Sequence, residues 1–227
     1  MKNILITGGT GLVGKELTNL LLSKGYQIAY LSRSEGEVSG IKKYKWDYKN
    51  GFIDPAALEW ANIIVGLAGH SVADGRWTTE TKKKIYDSRV EATRLIFEKV
   101  KELNTPIEKF IGASATGIYE FGTALQKEDA KPADNFLANV VVDWEKEIFK
   151  FETVGIPTAA IRIGVVLSKD GGALPKLLTP IKFGVGADLG PGTQLMPWVH
   201  IHDLARVFTH AIEQPSVHGP YLSLIHI

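Results

Sequence analysis

Asn3-Ile4-Leu5-Ile6-Thr7-Gly8-Gly9-Thr10-Gly11-Leu12-Val13-Gly14 is the stretch on which the reading of this 227-residue chain turns. Its first five residues are mostly apolar, as expected of a central strand covered on both faces. Apolar residues then recur at Val13, Leu17, Leu20 and Leu21, the i, i+4, i+7, i+8 spacing of a helix with one buried face, and Gly25 is placed to end it. Between strand and helix runs Gly-x-x-Gly-x-x-Gly. Without Cβ atoms such a loop turns tightly and lets a pyrophosphate approach the backbone, while Gly14 lets the helix lie close to the strand. The helix N-terminus then offers free N–H groups and partial positive charge to the phosphates. Gly8, Thr10, Gly11, Leu12, Val13 and Gly14 are therefore the candidate diphosphate-binding residues of a dinucleotide site. A triphosphatase loop is excluded, because no Gly-Lys-Ser/Thr follows at the required spacing.

Working outward, 26 Lys+Arg against 25 Asp+Glu leave a net charge of +1, which gives no electrostatic footprint for nucleic acid or an anionic membrane. The chain has no cysteine, which removes disulfide scaffolds, thiol nucleophiles, iron–sulfur clusters and Cys-based zinc sites. The greasiest segment, residues 63–68, is far shorter than the roughly 18 to 20 residues a membrane span needs. Met1-Lys2-Asn3 leads into only three apolar residues before the glycine turn, unlike a secretory leader, so the expectation is a cytoplasmic protein.

Short β-branched runs alternate with helical periodicity, the pattern of parallel strands joined by crossover helices. Further strands are expected at residues 27–32, 42–46, 63–67, 109–114 and 158–163. Helices are expected at 78–103, burying Ala92, Leu95, Ile96 and Leu103, and at 136–151, with Leu137, Val140, Val141, Trp144 and Ile148 inward. The fold class is thus α/β, a Rossmann-type doubly wound parallel sheet over residues 1–165. Residues 166–227 are Gly/Pro-rich except for a helix at 203–214 and read as a partial substrate-side segment. The last six residues, Leu222-Ser223-Leu224-Ile225-His226-Ile227, read as foreign sequence standing where a longer native C-terminus belongs; the alternative is a short edge strand.

At the end of the second strand, 19 residues after Gly14, stands Arg33 between two serines. An acid here would take the ribose 2′-hydroxyl of NAD, whereas arginine beside Ser34 suits a 2′-phosphate, so NADP is expected over NAD. Glu35 or Glu37 serves as the acid if the strand ends later. Asp47, after the third strand, is placed either to meet an adenine amino group or to remain a solvated strand-end aspartate.

The glycine loop, Leu67-Ala68-Gly69 after the fourth strand and Ser114 after the fifth together resemble the short-chain dehydrogenase/reductase superfamily, in its extended, sugar-nucleotide-epimerase-like branch. Arg76-Trp77-Thr78, Ser88-Arg89-Val90-x-x-Thr93, Gly112-Ala113-Ser114-Ala115-Thr116-Gly117-Ile118-Tyr119, Arg162-Ile163-Gly164-Val165-Val166-Leu167, Gly171-Gly172-Ala173-Leu174 and Trp198-Val199-His200-Ile201-His202-Asp203-Leu204 narrow the resemblance. They look like the "epimerase family" proteins of the atypical subgroup, NAD-dependent epimerase/dehydratase-like, which run on for several dozen residues more. The resemblance covers residues 2 to 221. It implies that Leu67, Ala68 and Gly69 line the cofactor and that Ser114 faces the nicotinamide.

One departure limits what carries over. The superfamily uses a Tyr and a Lys four residues later on the helix after the fifth strand, the Lys lowering the phenol pKa for proton transfer. No tyrosine in this chain has a lysine four positions on. Ser114 and Tyr119 are the remaining catalytic candidates, set against a strand-end cap and a pocket lining respectively. Arg76 and Trp77, at the mouth, are substrate-binding candidates by charge and stacking, although an ion pair of Arg76 with Asp74 fits the sequence equally well. Lys82 and Arg89 read as surface or structural residues, and His70 as a neighbour of the nicotinamide ribose. His200 is a further substrate-side candidate. His200, His202 and Asp203 invite a metal reading, but a pocket floor with Asp203 capping a helix from Leu204 is preferred, and no metal is assigned.

Two functions follow from this: an NADP(H)-binding oxidoreductase or epimerase-like enzyme acting on a small polar substrate without the Tyr-x-x-x-Lys pair, and a catalytically silent dinucleotide sensor. The partner expected is a small-molecule substrate, with neither nucleic acid nor membrane; the resemblance implies either a homodimer through the helices starting near Thr78 and Phe136 or, as in many atypical members, a monomer.

Overall fold

The apolar run at the N-terminus becomes the middle of a sheet in the computed structural model, which describes residues 2–73, 75–186, 192–193 and 195–224. β1 (Asn3–Thr7) passes through the glycine loop into α1 (Leu12–Ser23), which returns to β2 (Gln27–Ser32). β3 (Gly36–Val38), β4 (Ile41–Asp47) and β5 (Phe52–Ile53) precede the short α2 (Pro55–Trp60) and β6 (Ile63–Gly66). α3 (Thr79–Asp87) and α4 (Val90–Leu103) lead to β7 (Lys109–Ala115), and α5 (Phe136–Phe149) leads to β8 (Thr158–Ile163). The chain continues through β9 (Val165–Ser168), β10 (Gly171–Gly172), α6 (Ala173–Lys182), β11 (Trp198–His200), α7 (Ile201–Glu213) and β12 (Gly219–Ser223).

The main sheet runs β12-β8-β7-β6-β1-β2-β4-β3. Every pairing along that path is parallel except β3 with β4, and β5 pairs antiparallel with β4. This is the expected α/β architecture, a doubly wound sheet of Rossmann type. β1, β6, β7 and β8 are buried along nearly their whole length, which is why they read as apolar runs without alternation. A smaller sheet, β10-β9-β11, carries the substrate-side segment, whereas α7 packs on α1 and β12 returns to the main sheet beside β8.

Several elements depart from the sequence pattern for local reasons. The helix expected at 78–103 is two helices, because the Ile85 carbonyl accepts the Ser88 hydroxyl at 3.2 Å and the Arg89 guanidinium at 3.1 Å, side-chain donors that compete with continuation of the helical ladder. Leu103, expected inside, is 38 % exposed on the last turn of α4. α7 begins at Ile201 rather than Leu204; the His200 ring nitrogen accepts from the His202 N–H, and Asp203 sits inside the first turn, paired with Arg206. Two residues of the terminal hexapeptide, Leu222 and Ser223, lie in β12 opposite Arg162 and Ile163, as an edge strand; residues 225–227 lie outside the described ones. Among the described residues no helix is long and apolar enough to cross a membrane.

The core behind β7 is centred on Phe110 and Phe151, fully buried and stacked with centroids 4.0 Å apart, with Phe97 edge-on to Phe151. Truncating such a ring removes its transfer free energy and leaves a cavity. Phe151→Ala is therefore expected to lower the free energy of unfolding by about 3–5 kcal/mol, measured by urea denaturation.

Candidate functional site

In strand order the chain moves from β1 to β2 and β4 on one side, then crosses back to β6 on the other. The loops leaving β1 and β6 therefore diverge, and a crevice forms at the carboxyl ends of these two strands. Thr7 ties the crevice walls together: its hydroxyl accepts from the Leu67 and Ala68 N–H groups, each at 3.0 Å.

The glycines are dictated by close approach. A Cβ on Gly14 would lie 2.4 Å from the Gly8 carbonyl oxygen, and one on Gly9 would lie 2.2 Å from the Tyr30 ring. Gly8 adopts a φ of +70°, with the Leu67 and Ala68 backbone 3.0 Å from where a Cβ would stand. The loop is thus filled from behind, while Thr10 and Gly11 are exposed in front. α1 has no side-chain cap, so its first N–H groups are available at the positive end of the helix dipole. The β9–β10 turn runs beside this end, with Gly171 and Gly172 next to the Leu12 side chain.

β2 ends at Ser32, so Arg33 is the residue that leaves the strand, exposed, with Ser34 beside it. The Lys43 ammonium donates to the Ser34 hydroxyl at 3.3 Å. Glu37 is carried away on β3, opposite Lys42. Asp47 uses both carboxylate oxygens in its own turn, accepting from the Lys49 N–H and the Asn50 amide, and the latter bond leads in holding its pKa below the ordinary value.

On the other side of the crevice, the sequence reading missed the group that organises Ser114 and Tyr119. Glu145, on the inner face of α5, accepts the Ser114 hydroxyl at 2.5 Å and a two-pronged bond from Arg162, Nε and Nη2 each at 2.8 Å. Arg162 Nη1 donates to the Tyr119 hydroxyl at 2.6 Å and to the Glu128 carbonyl at 2.7 Å. All four side chains are buried. The signal was an acid i+4 from Val141 and i−3 from Ile148, inside the apolar stripe of the helix. The Ser114 proton is therefore committed to Glu145. Burial raises the Tyr119 phenol pKa against the pull of Arg162, and the same cluster raises Arg162 although burial alone would lower it.

Arg89 is the second residue the sequence undervalued. It is half-buried, donates to the His70 carbonyl at 2.9 Å, lies over the Trp144 ring, and would meet any Cβ on Gly69 at about 3.0 Å. Burial pushes its pKa down to about 10. The His70 N–H is held by Ser88, leaving an exposed imidazole. At the mouth, Trp77 donates to the Val72 carbonyl and meets Phe136 edge-on at 5.7 Å, with the Lys82 ammonium over that ring. Arg76 is exposed; Asp74, its alternative partner, lies outside the described residues. His200 serves as the α7 cap, and His202 pairs with Glu16 of α1. Among the described residues no group of three or more His, Asp or Glu is placed to hold a metal ion.

With this geometry in place, comparison with known proteins is decisive at the level of family. The model of the NAD dependent epimerase/dehydratase family matches residues 4–222. The chain belongs to that family. It is 37% identical over 224 residues to the epimerase family protein YfhF of Bacillus subtilis, covering 96% of this chain and 72% of that protein. The human epimerase family protein SDR39U1, solved with NADPH, superposes with a TM-score of 0.83 at 31% identity, over 98% of this chain and 74% of that one. A nucleoside-diphosphate sugar epimerase of Corynebacterium glutamicum gives 0.84 at 33% identity, over 98% of this chain and 46% of that one. The UDP-glucuronic acid 4-epimerase of Bacillus cereus, 18% identical with a TM-score of 0.82, shares the fold.

Removing one member of a buried, hydrogen-bonded charge pair strands the other in the interior. Glu145→Ala is expected to cost about 3–5 kcal/mol of stability by thermal or chemical denaturation, and pairing it with Arg162→Met is expected to recover most of the loss.

Proposed function

We propose that this family member binds NADP(H) and acts as an oxidoreductase or epimerase-like enzyme on a small polar substrate, without a Tyr-x-x-x-Lys pair. The observation that carries the cofactor assignment is the uncapped, glycine-lined start of α1 at the switch point, together with Arg33 where an NAD site would place an acid. The fit is supported by the way the loop excludes every Cβ from behind while leaving its backbone exposed in front. Gly8, Thr10, Gly11, Leu12, Val13 and Gly14 would hold the diphosphate, Leu67, Ala68 and Gly69 the opposite wall, and Arg33 with Ser34 the 2′-phosphate. Asp47, its oxygens already accepting from Lys49 and Asn50, shapes the adenine side rather than accepting from the adenine amino group. That the human relative is solved with NADPH supports the same assignment.

Bound there, the nicotinamide supplies hydride transfer; the chain supplies position and proton control. Tyr119 accepts from Arg162 and retains its own proton, so its phenol can offer a hydrogen bond, while the raised pKa makes it a weak acid. Ser114 orients this corner through Glu145. Arg76 and Trp77 offer a cation and a stacking face at the mouth, and His200 lies on the substrate side.

The alternative, a catalytically silent dinucleotide sensor, is favoured by two observations: α5 carries no tyrosine, and the Ser114 proton is already spent on Glu145. Incubating NADPH-loaded protein with a panel of carbonyl compounds separates the two. Turnover supports the enzyme; tight NADPH binding with no oxidation of the cofactor supports the sensor. Arg33→Ala is expected to weaken NADPH binding by about 1–3 kcal/mol, the range for a charged hydrogen bond, with little effect on NADH. Equal losses for both dinucleotides would remove the 2′-phosphate assignment.

A further inference from the structure

We infer that Lys43 is a second cation of the 2′-phosphate pocket, a role that rests on the NADP(H) reading and that the β3–β4 pairing creates. β4 lies between β2 and β3, so the chain leaving β2 at Ser32 crosses β4 before it enters β3 at Gly36. Lys43 stands in register with Tyr30 on one side and Gly36 on the other. The Tyr30 hydroxyl reaches Thr18 of α1, and residues in register on neighbouring strands share a face, so Lys43 lies on the α1 face of the sheet with the glycine loop. There its ammonium meets the crossover, donating to the Ser34 hydroxyl at 3.3 Å.

Lys43 therefore reaches the serine that follows Arg33 in the chain. Lys42, the neighbour on β4, is spent elsewhere: its ammonium lies over the Tyr44 ring on the opposite face, and Glu37 is its cross-strand partner. Among the described residues no carboxylate forms an ion pair with Arg33 or Lys43. Lys43 is half-buried, held against a neutral hydroxyl, an arrangement that leaves its charge uncompensated. A phosphate monoester carries nearly two negative charges and three acceptor oxygens, which suits a planar guanidinium fork, a point-charge ammonium and a hydroxyl together. A ribose 2′-hydroxyl has no use for the second cation. Lys43 thus acts as a specificity residue for the phosphorylated cofactor.

The test is equilibrium binding to the whole chain of four probes: NADPH, NADH, adenosine 2′,5′-bisphosphate and adenosine 5′-monophosphate. Lys43→Gln is expected to weaken NADPH and the bisphosphate by about tenfold or more, the loss of one charged hydrogen bond, while NADH and the monophosphate change by less than about twofold. Lys43→Arg is expected to restore most of the affinity. If Lys43→Gln leaves NADPH unchanged while Arg33→Ala abolishes the preference, the Lys43 assignment falls and the cofactor reading stands. If Lys43→Gln weakens all four probes equally, Lys43 only props the crossover and the assignment falls as well. A wild-type protein that binds NADH as tightly as NADPH removes the cofactor reading itself, whatever Lys43 does.

Discussion

How closely backbone can approach backbone at the corner where β1 becomes α1 governs the rest of the molecule. Gly14 brings the helix against the Gly8 carbonyl, Gly9 seats the loop on the Tyr30 ring, and Gly8 lets the neighbouring β6 loop come within contact. No side chain fits at these points. The helix N-terminus is consequently aimed into the crevice with its N–H groups unshielded, and whatever binds there is recognised by peptide groups and a dipole. Thr7 completes the corner by holding the Leu67 and Ala68 amides, which ties together the two strands that bound the switch point.

Charge is distributed around this corner in three distinct ways. Arg162 is buried and compensated by Glu145, which makes it part of the scaffold that fixes Ser114 and Tyr119. Arg89 is half-buried beside a glycine with carbonyls and an aromatic face as partners, which ties the loop after β6 to α3 and Trp144 at the expense of a lowered pKa. Lys43 donates to the hydroxyl of Ser34, the residue after the exposed Arg33, and neither cation forms an ion pair among the described residues. Within this chain the Tyr119 phenol is held protonated by burial, and Ser114 has already given its hydrogen bond to Glu145.

Much of the architecture was legible in the linear pattern. The bounds of β1, β2 and β8 match the apolar runs, because parallel strands buried on both faces need apolar residues at nearly every position. α1 was legible for the complementary reason, one buried stripe at helical period ending at a glycine with positive φ, Gly25. β3 and its pairing with β4, α2 and the break between α3 and α4 were not, although β4 itself matches the strand expected at 42–46. β3 and α2 are too short to show a period, although Asp54-Pro55 gives α2 its cap and first residue. The break at Ser88-Arg89 depends on side chains competing for the Ile85 carbonyl, which periodicity does not register.

The sequence by itself determined the family, the sheet, the place of the crevice and the cation at the end of the second strand, since each of these follows from local spacing: a strand, three glycines, a helix, and an arginine where an acid would select NAD. Tertiary structure alone decided which polar residues are partners. Glu145 and Arg162 are 17 residues apart, Ser114 and Glu145 are 31 apart, and Lys43 meets Ser34 only because β3 is laid outside β4. Contacts of that kind are set by strand order and by the burial of charge, neither of which has a period along the chain.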